Sequence, residues 1–104
     1  MKREAFKMYL KPGCAAEYKR RHDALWPEMK QLLEASGVSD YTIFRDGETD
    51  TLFAVQKSSG EQGSQDLGGH EIVQEWWAYM ADIMVVNSDN SPVSVPLEEC
   101  FHMD

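Results

Sequence analysis

An α+β domain with the element order βαββαβ is what this sequence predicts, and three observations carry that prediction. Apolar residues alternate at period two in separate short stretches, they recur at helical spacing in others, and Gly, Pro, Asp and Asn punctuate the joins. The chain has 104 residues, of which 42% are hydrophobic, enough for one core. A single domain over residues 1–104 is therefore expected, with no repeat and no linker dividing it.

The first strand is read from Ala5 to Leu10, where Phe6, Met8 and Leu10 alternate with Ala5, Lys7 and Tyr9. Pro12-Gly13 ends it. From Cys14 the pattern turns helical and charged through Glu17, Lys19, Arg20 and Arg21. Pro27 lacks an N–H and clashes with the turn before it, so this helix breaks or kinks near Trp26. A second helical piece then runs from Glu28 to Ala35, with Pro27 suited to its first position and Gly37 to its end. Val38 to Arg45 reads as the second strand, Asp46-Gly47 as a turn, and Thr51 to Gln56 as the third strand. Ser58 to Ser64, with Gly68-Gly69 after it, reads as a mobile connection. Glu71 to Met84 is helical: Ile72, Trp76, Tyr79 and Ile83 form one stripe, and Val73, Trp77, Met80 and Met84 its neighbour. Asn87 to Pro92 reads as turn chemistry, and a short last strand is placed around Glu98 to His102.

This order gives an antiparallel sheet with the helices on one face, the ferredoxin-like arrangement. Strands two and three each offer apolar residues to both faces, Ile43 and Phe44 in the second strand, Leu52 and Phe53 in the third. The helices cover one face, so the second needs a partner, and a two-fold homodimer joined sheet to sheet supplies it most simply.

Ten Lys+Arg against eighteen Asp+Glu give a net charge of −8, which disfavours nucleic acid and anionic membrane surfaces as partners. No apolar run approaches the ~18–20 residues of a membrane span. Met1-Lys2-Arg3-Glu4 leads into a strand-length stretch rather than a signal-peptide core. Cys14 and Cys100 follow no framework spacing, which points to a reduced, cytoplasmic setting. The spacings of phosphate loops, dinucleotide loops, serine-hydrolase elbows and zinc sites are missing, and His22, His70 and His102 are far apart. Neither a metal nor a cofactor is expected.

Tyr18 and His22 are four apart on the first helix and share a face, so a phenol and an imidazole stand together as an acid/base pair. On spacing alone His22 reads equally as a surface residue of a charged helix, and Arg20 and Arg21 as its solvated face. Adjacent helical residues point ~100° apart, so Trp76 and Trp77 cannot fill one patch of core. One would pack on the sheet while the other lines a cavity or interface. Flat indole faces beside hydroxyl and acid/base groups suit a sugar. Tyr41 on the second strand would face the helices together with Ile43, its hydroxyl seeking a partner. Met80, Ile83 and Met84 read as core.

The runs Glu17-Tyr18-Lys19-Arg20-Arg21-His22 and Leu25-Trp26-Pro27-Glu28 resemble the first helix of the L-rhamnose mutarotase family. So do Asp40-Tyr41-Thr42-Ile43-Phe44, Leu52-Phe53-Ala54, Trp76-Trp77-Ala78-Tyr79-Met80, Asp89-Asn90-Ser91-Pro92-Val93 and the closing Glu99-Cys100-Phe101-His102-Met103-Asp104. The likeness runs through nearly the whole chain in register. It implies ferredoxin-like subunits assembled as a dimeric α/β barrel, and interconversion of the α and β anomers of L-rhamnose without cofactor or metal. His22 matches that family's proton donor; Tyr18, Tyr41, Trp76 and Trp77 match its sugar-contacting positions. Protonated His22 would then supply the ring-oxygen proton and reclaim it on closure, with Tyr18 or a water holding the anomeric hydroxyl.

Between Lys57 and His70 the chain departs from the family pattern, carrying Gly60, Gly63, Gly68 and Gly69 where a charged helical lead is expected. Another 6-deoxy sugar such as L-fucose is therefore an alternative substrate. Two other classes stand beside the mutarotase. One is a haem- or quinone-handling monooxygenase of the same barrel architecture with a helix histidine as ligand. The other is a non-catalytic barrel domain whose tryptophans serve packing.

Overall fold

A computed structural model describes residues 1–60 and 62–104. Its elements run β1 (Lys2–Tyr9), α1 (Ala15–Asp23), α2 (Pro27–Ala35), β2 (Val38–Arg45), β3 (Thr51–Ser58), a 3₁₀ turn (Ser64–Asp66), α3 (Glu71–Met80) and β4 (Val95–Leu97). The strands form one antiparallel sheet in the order β2-β3-β1-β4, the ferredoxin-like order.

Two faces follow directly from the register. One row brings Ile43, Ala54, Phe6 and Pro96 opposite one another, and an alternate row brings Arg45, Leu52 and Met8 together. Phe6, Met8, Leu52 and Ala54 are buried beneath the helices with Met29, Val73, Trp76, Met80, Ile83 and Met84. The intervening rows point the other way: Phe44, Phe53, Lys7 and Val95, then Thr42, Val55, Ala5 and Leu97. On that face Phe44 is 62% exposed, and Phe53, Val95 and Leu97 are exposed as well. Both faces of β2 and β3 are apolar, as the sequence implied.

The break at Trp26 is where the sequence placed it. α1 stops at Asp23, Trp26 sits at the N-cap of α2 and Pro27 opens it. α2 ends in a turn at Gly37, whose φ of +89° suits glycine and whose N–H donates to the Glu34 carbonyl at 3.1 Å.

Four elements differ from the sequence reading. β1 begins at Lys2 and β3 continues to Ser58, because the two pair residue by residue from Lys2–Ser58 to Tyr9–Thr51. α3 stops at Met80 rather than Met84. Lys11 N–H bonds the Ile83 carbonyl at 2.9 Å and Val85 N–H bonds the Tyr9 carbonyl at 3.0 Å, so pairing with the end of β1 draws the chain out of the helix. The last strand is Val95–Leu97, not 98–102. It pairs with Ala5–Lys7, and Pro96 is tolerated because β4 is an edge strand. Residues 98–102 instead run alongside β1, where Arg3 Nη1 lies 2.7 Å from His102 Nδ1.

The expected mobile connection falls partly on residue 61, outside the described residues. In its described remainder Ser59, Gly60, Gln62 and Gly69 are exposed, whereas Ser58, Gly63, Ser64 and Leu67 are buried. Gly63 N–H donates to Asp66 Oδ2 at 2.9 Å, Ser64 is buried, and Leu67 is 1% exposed within the core. His70 caps the helix that follows.

Candidate active site

α1, β2, α3 and the 63–70 segment enclose a cavity of about 910 Å³. Tyr18, His22, Tyr41, Trp76 and Trp77 all line it, so the side chains singled out from the sequence meet at one place. Each arrives there for a local reason. The i, i+4 spacing on α1 stacks Tyr18 on His22 with ring centroids 4.2 Å apart. Tyr41 faces the helices together with Ile43, two residues on, as strand alternation expects, and an irregularity in β2 precedes it. Pairing with β3 shifts register between Ser39 and Thr42, and Asp40 takes φ +47°. Val38 and Tyr41, three apart, therefore both face inward, which a regular strand forbids.

Trp76 and Trp77 diverge as two adjacent helical residues must. Trp76 is 7% exposed in the core, its edge toward the His22 ring at 5.5 Å and 88°. Trp77 is half-buried, and together with Gln65 it also lines a smaller cavity of about 350 Å³ beside the 87–94 loop.

The electrostatics follow from burial. His22 Nδ1 is 3.1 Å from the Tyr18 carbonyl, which can only accept, so Nδ1 carries the proton and Nε2 is left with its lone pair. Burial holds the His22 pKa below the ordinary histidine value, despite the Tyr18 carbonyl and Asp23, which favour the charged form. Burial thus favours the neutral imidazole. Burial also pushes the Tyr18 phenol far up, and the neighbouring Tyr41 adds to this. Tyr41 is raised by burial too, offset in part by the Ser64 hydroxyl beside it. Both phenols keep their protons throughout the working pH range and act as neutral hydrogen-bonding groups.

Arg21 departs from the solvated face assigned to it. Its side chain is 10% exposed, donates to Asp82 at 2.8 Å, to the Tyr79 carbonyl and to Glu17 at 2.7 Å, and lies over the Tyr79 ring at 4.5 Å. It ties α1 to the end of α3, so Tyr18 and His22 are held in position against Trp76. Hydrogen bonds from Arg20 and Arg21 hold the Glu17 carboxyl down at about 2. Arg20, by contrast, is exposed and bonds to Glu17 on its own helix.

Sequence reasoning gave no site role to Ser64 and Gln65, which line the cavity, or to Trp26, which meets Trp76 edge-on at 5.0 Å and stacks on Tyr79 at 5.4 Å. Ser64 and Gln65 lie in or beside the segment read as a connection. An apolar Leu67 amid Ser and Gly was the signal that this segment is anchored.

Among the described residues, no group of three or more His, Cys, Asp or Glu is placed to hold a metal, and no helix is long and apolar enough to cross a membrane. The cavity thus brings one imidazole, two phenols and two indoles together, with Lys19, Asp23, Lys30, Glu34, Asp40 and Arg45 also in its lining.

The family model described as L-rhamnose mutarotase matches residues 3–103. L-rhamnose mutarotase of Bacteroides thetaiotaomicron is 71% identical over 104 residues, covering all of both chains. That of Phocaeicola vulgatus is 62% identical with the same coverage. The crystal structure of L-rhamnose mutarotase from Formosa agariphila superposes with a TM-score of 0.93 at 60% identity, again over all of both chains.

Proposed function

The chain belongs to the L-rhamnose mutarotase family, and from that premise we propose that it interconverts the α and β anomers of L-rhamnose with His22 as the proton carrier. One observation carries the proposal. His22 Nδ1 lies 3.1 Å from the Tyr18 carbonyl, which places its proton there and leaves Nε2 to take a proton and return it, and burial favours the neutral ring that can do so.

Ring opening requires the anomeric hydroxyl to lose a proton and the ring oxygen to gain one. Both oxygens are bonded to the same carbon, so one imidazole nitrogen reaches both. Nε2 accepts the hydroxyl proton, leaving an alkoxide at O1. The resulting imidazolium delivers that proton to the ring oxygen as the bond from C1 to the ring oxygen breaks and C1–O1 becomes the carbonyl. The open aldehyde turns about C1–C2, and the steps reverse on the other face. The imidazolium is thus still the donor to the ring oxygen, formed during the reaction rather than present beforehand. Tyr18 and Tyr41 hold sugar hydroxyls with their protonated phenols. Trp76 and Trp77 offer their faces to the apolar side of the ring, including the methyl group of a 6-deoxy sugar. Positioned acid/base groups contribute ~10²–10⁴-fold, sufficient for a reaction that water already supports slowly.

NMR exchange between anomers at equilibrium tests the substrate. The expected result is acceleration on L-rhamnose by catalytic amounts of protein, with weaker or no effect on L-fucose and D-glucose. Acceleration confined to L-fucose would keep the mechanism and move the substrate, and none on any sugar would defeat the proposal. Membership of this family sets the monooxygenase and non-catalytic readings aside.

The active form we propose is a cytoplasmic homodimer, with the Phe44, Phe53, Val95 and Leu97 face of one sheet laid against its copy. These exposed apolar side chains lie in adjoining rows opposite the helices, a patch that soluble chains rarely leave uncovered. Light scattering at micromolar concentration is expected to give twice the chain mass, and Phe44→Asp to give the single-chain mass. A monomeric wild type would end the dimer proposal.

A further inference from the structure

We propose that Gly68 is a positioning residue for the sugar site: the space left by its missing side chain is the seat of the Trp77 indole and sets how deeply the cavity closes on its ligand. This rests on the reading that Trp77 contacts the sugar. A Cβ built on Gly68 would lie 2.6 Å from Trp77 Cη2, 3.1 Å from Cζ3 and 3.7 Å from Cζ2, the far edge of the six-membered ring. No other atoms come as near to that position. Gly68 does not need glycine for its backbone, because positive φ among the described glycines is confined to Gly13 and Gly37. It needs glycine for space.

The segment has little room to retreat from a larger residue. Leu67, next in the chain, is 1% exposed in the core, and Gln74 Nε2 on α3 donates to the Gly68 carbonyl at 2.8 Å. Trp77 is on the same helix as Gln74. The Gly68 backbone is therefore held at both ends, and an added methyl group displaces the indole rather than the backbone. The same segment sets Ser64 against the Tyr41 hydroxyl. One stretch of chain thus adjusts two of the proposed sugar contacts. Gly69 is an internal control, since nothing lies within 4 Å of its Cβ position.

The test compares Gly68→Ala, Gly69→Ala, Trp77→Phe and Gly68→Ala/Trp77→Phe. L-Rhamnose anomer exchange gives KM and kcat, and near-ultraviolet circular dichroism reports the indole. Gly68→Ala is expected to raise KM about tenfold while changing kcat about twofold or less, and to alter the aromatic spectrum. Gly69→Ala is expected to change neither. Phenylalanine lacks the outer ring edge that Gly68 meets, so the double variant is expected to match Trp77→Phe alone. An equal KM penalty from Gly68→Ala in both backgrounds would overturn the proposal, as would an altered spectrum with unchanged KM. Should Gly68→Ala misfold, a folded double variant supports the seat, and misfolding of both overturns it. Wild-type protein inactive on every sugar would defeat the reading of the site and with it the positioning role, whereas the spectra would still show whether Gly68 seats the indole.

Discussion

His22→Ala is expected to retain the fold and to lower kcat for L-rhamnose anomer exchange by ~10²–10⁴-fold, measured by NMR exchange on protein with an unchanged far-ultraviolet spectrum. The imidazole contributes the one group in the cavity whose proton affinity lies near the working pH, while the phenols of Tyr18 and Tyr41 are both pushed upward by burial. The pH profile distinguishes two ways in which the residue acts. Burial lowers its pKa from about 6.5. If neutral imidazole accepts the first proton, kcat/KM rises with pH through that lowered pKa and is flat from there to about pH 8. If the free enzyme had to begin as imidazolium, the rate would instead fall as pH rises through the same value. The first profile is expected. Stability carries the same sign. The unfolded chain binds a proton at this residue at a higher pH than the folded chain, so its contribution is present above about pH 6.5 and is lost as pH falls through the lowered folded value. The stability difference between wild type and His22→Ala is expected to vary with pH only on that acidic side. Full activity in folded His22→Ala would remove the residue from the mechanism.

Trp76→Ala is expected to cost about 3–5 kcal/mol of stability, read as a lower midpoint in chemical denaturation, and a fall in Tm of roughly 12 °C or more. The side chain is 7% exposed and stands at the centre of an aromatic group. Its ring lies 5.0 Å from Trp26, 5.5 Å from His22 and 5.6 Å from Tyr79. Truncation leaves a cavity between helices that Arg21 and the Trp26–Tyr79 stack prevent from closing freely. Trp76→Phe keeps an aromatic ring in the core and is expected to lose less stability, yet to raise KM for L-rhamnose, because the shorter side chain no longer reaches both His22 and the sugar. A Trp76→Ala loss below about 1 kcal/mol would show that the group is loosely packed, and the proposed fixing of the His22 ring would fail with it.

Much of the fold was legible because local chemistry and global packing agree. The alternation of Phe6 and Met8, the Pro27 start of α2 and the Gly37 end each demand a particular backbone, and tertiary structure granted it. Disagreement came where a neighbour outweighed local preference. The 81–84 stretch has helical character, but the backbone of Tyr9 and Lys11 recruits Ile83 and Val85 into sheet-like pairing. β4 contains a proline that argues against a strand, and its edge position removes the objection.

The functional residues divide along the same line. By itself the sequence determined the element order, the shared helix face of Tyr18 and His22, the divergence of Trp76 from Trp77 and the two-sided apolar sheet, all of which follow from fixed periods of 3.6 and 2 residues. Tertiary structure alone decided that His22 is neutral, since its protonation depends on burial and on a carbonyl to which its own helix delivers it. It decided that Val38 turns inward as well as Tyr41, three residues on, through the register shift at Asp40. It also decided that Arg21 is a clamp and Gly68 a seat, because their partners Asp82 and Trp77 lie across gaps that no sequence period spans. Periodicity tells which way a side chain points from its own element. What it meets there is set by how separate elements pack, and both pKa and pocket shape are properties of that meeting.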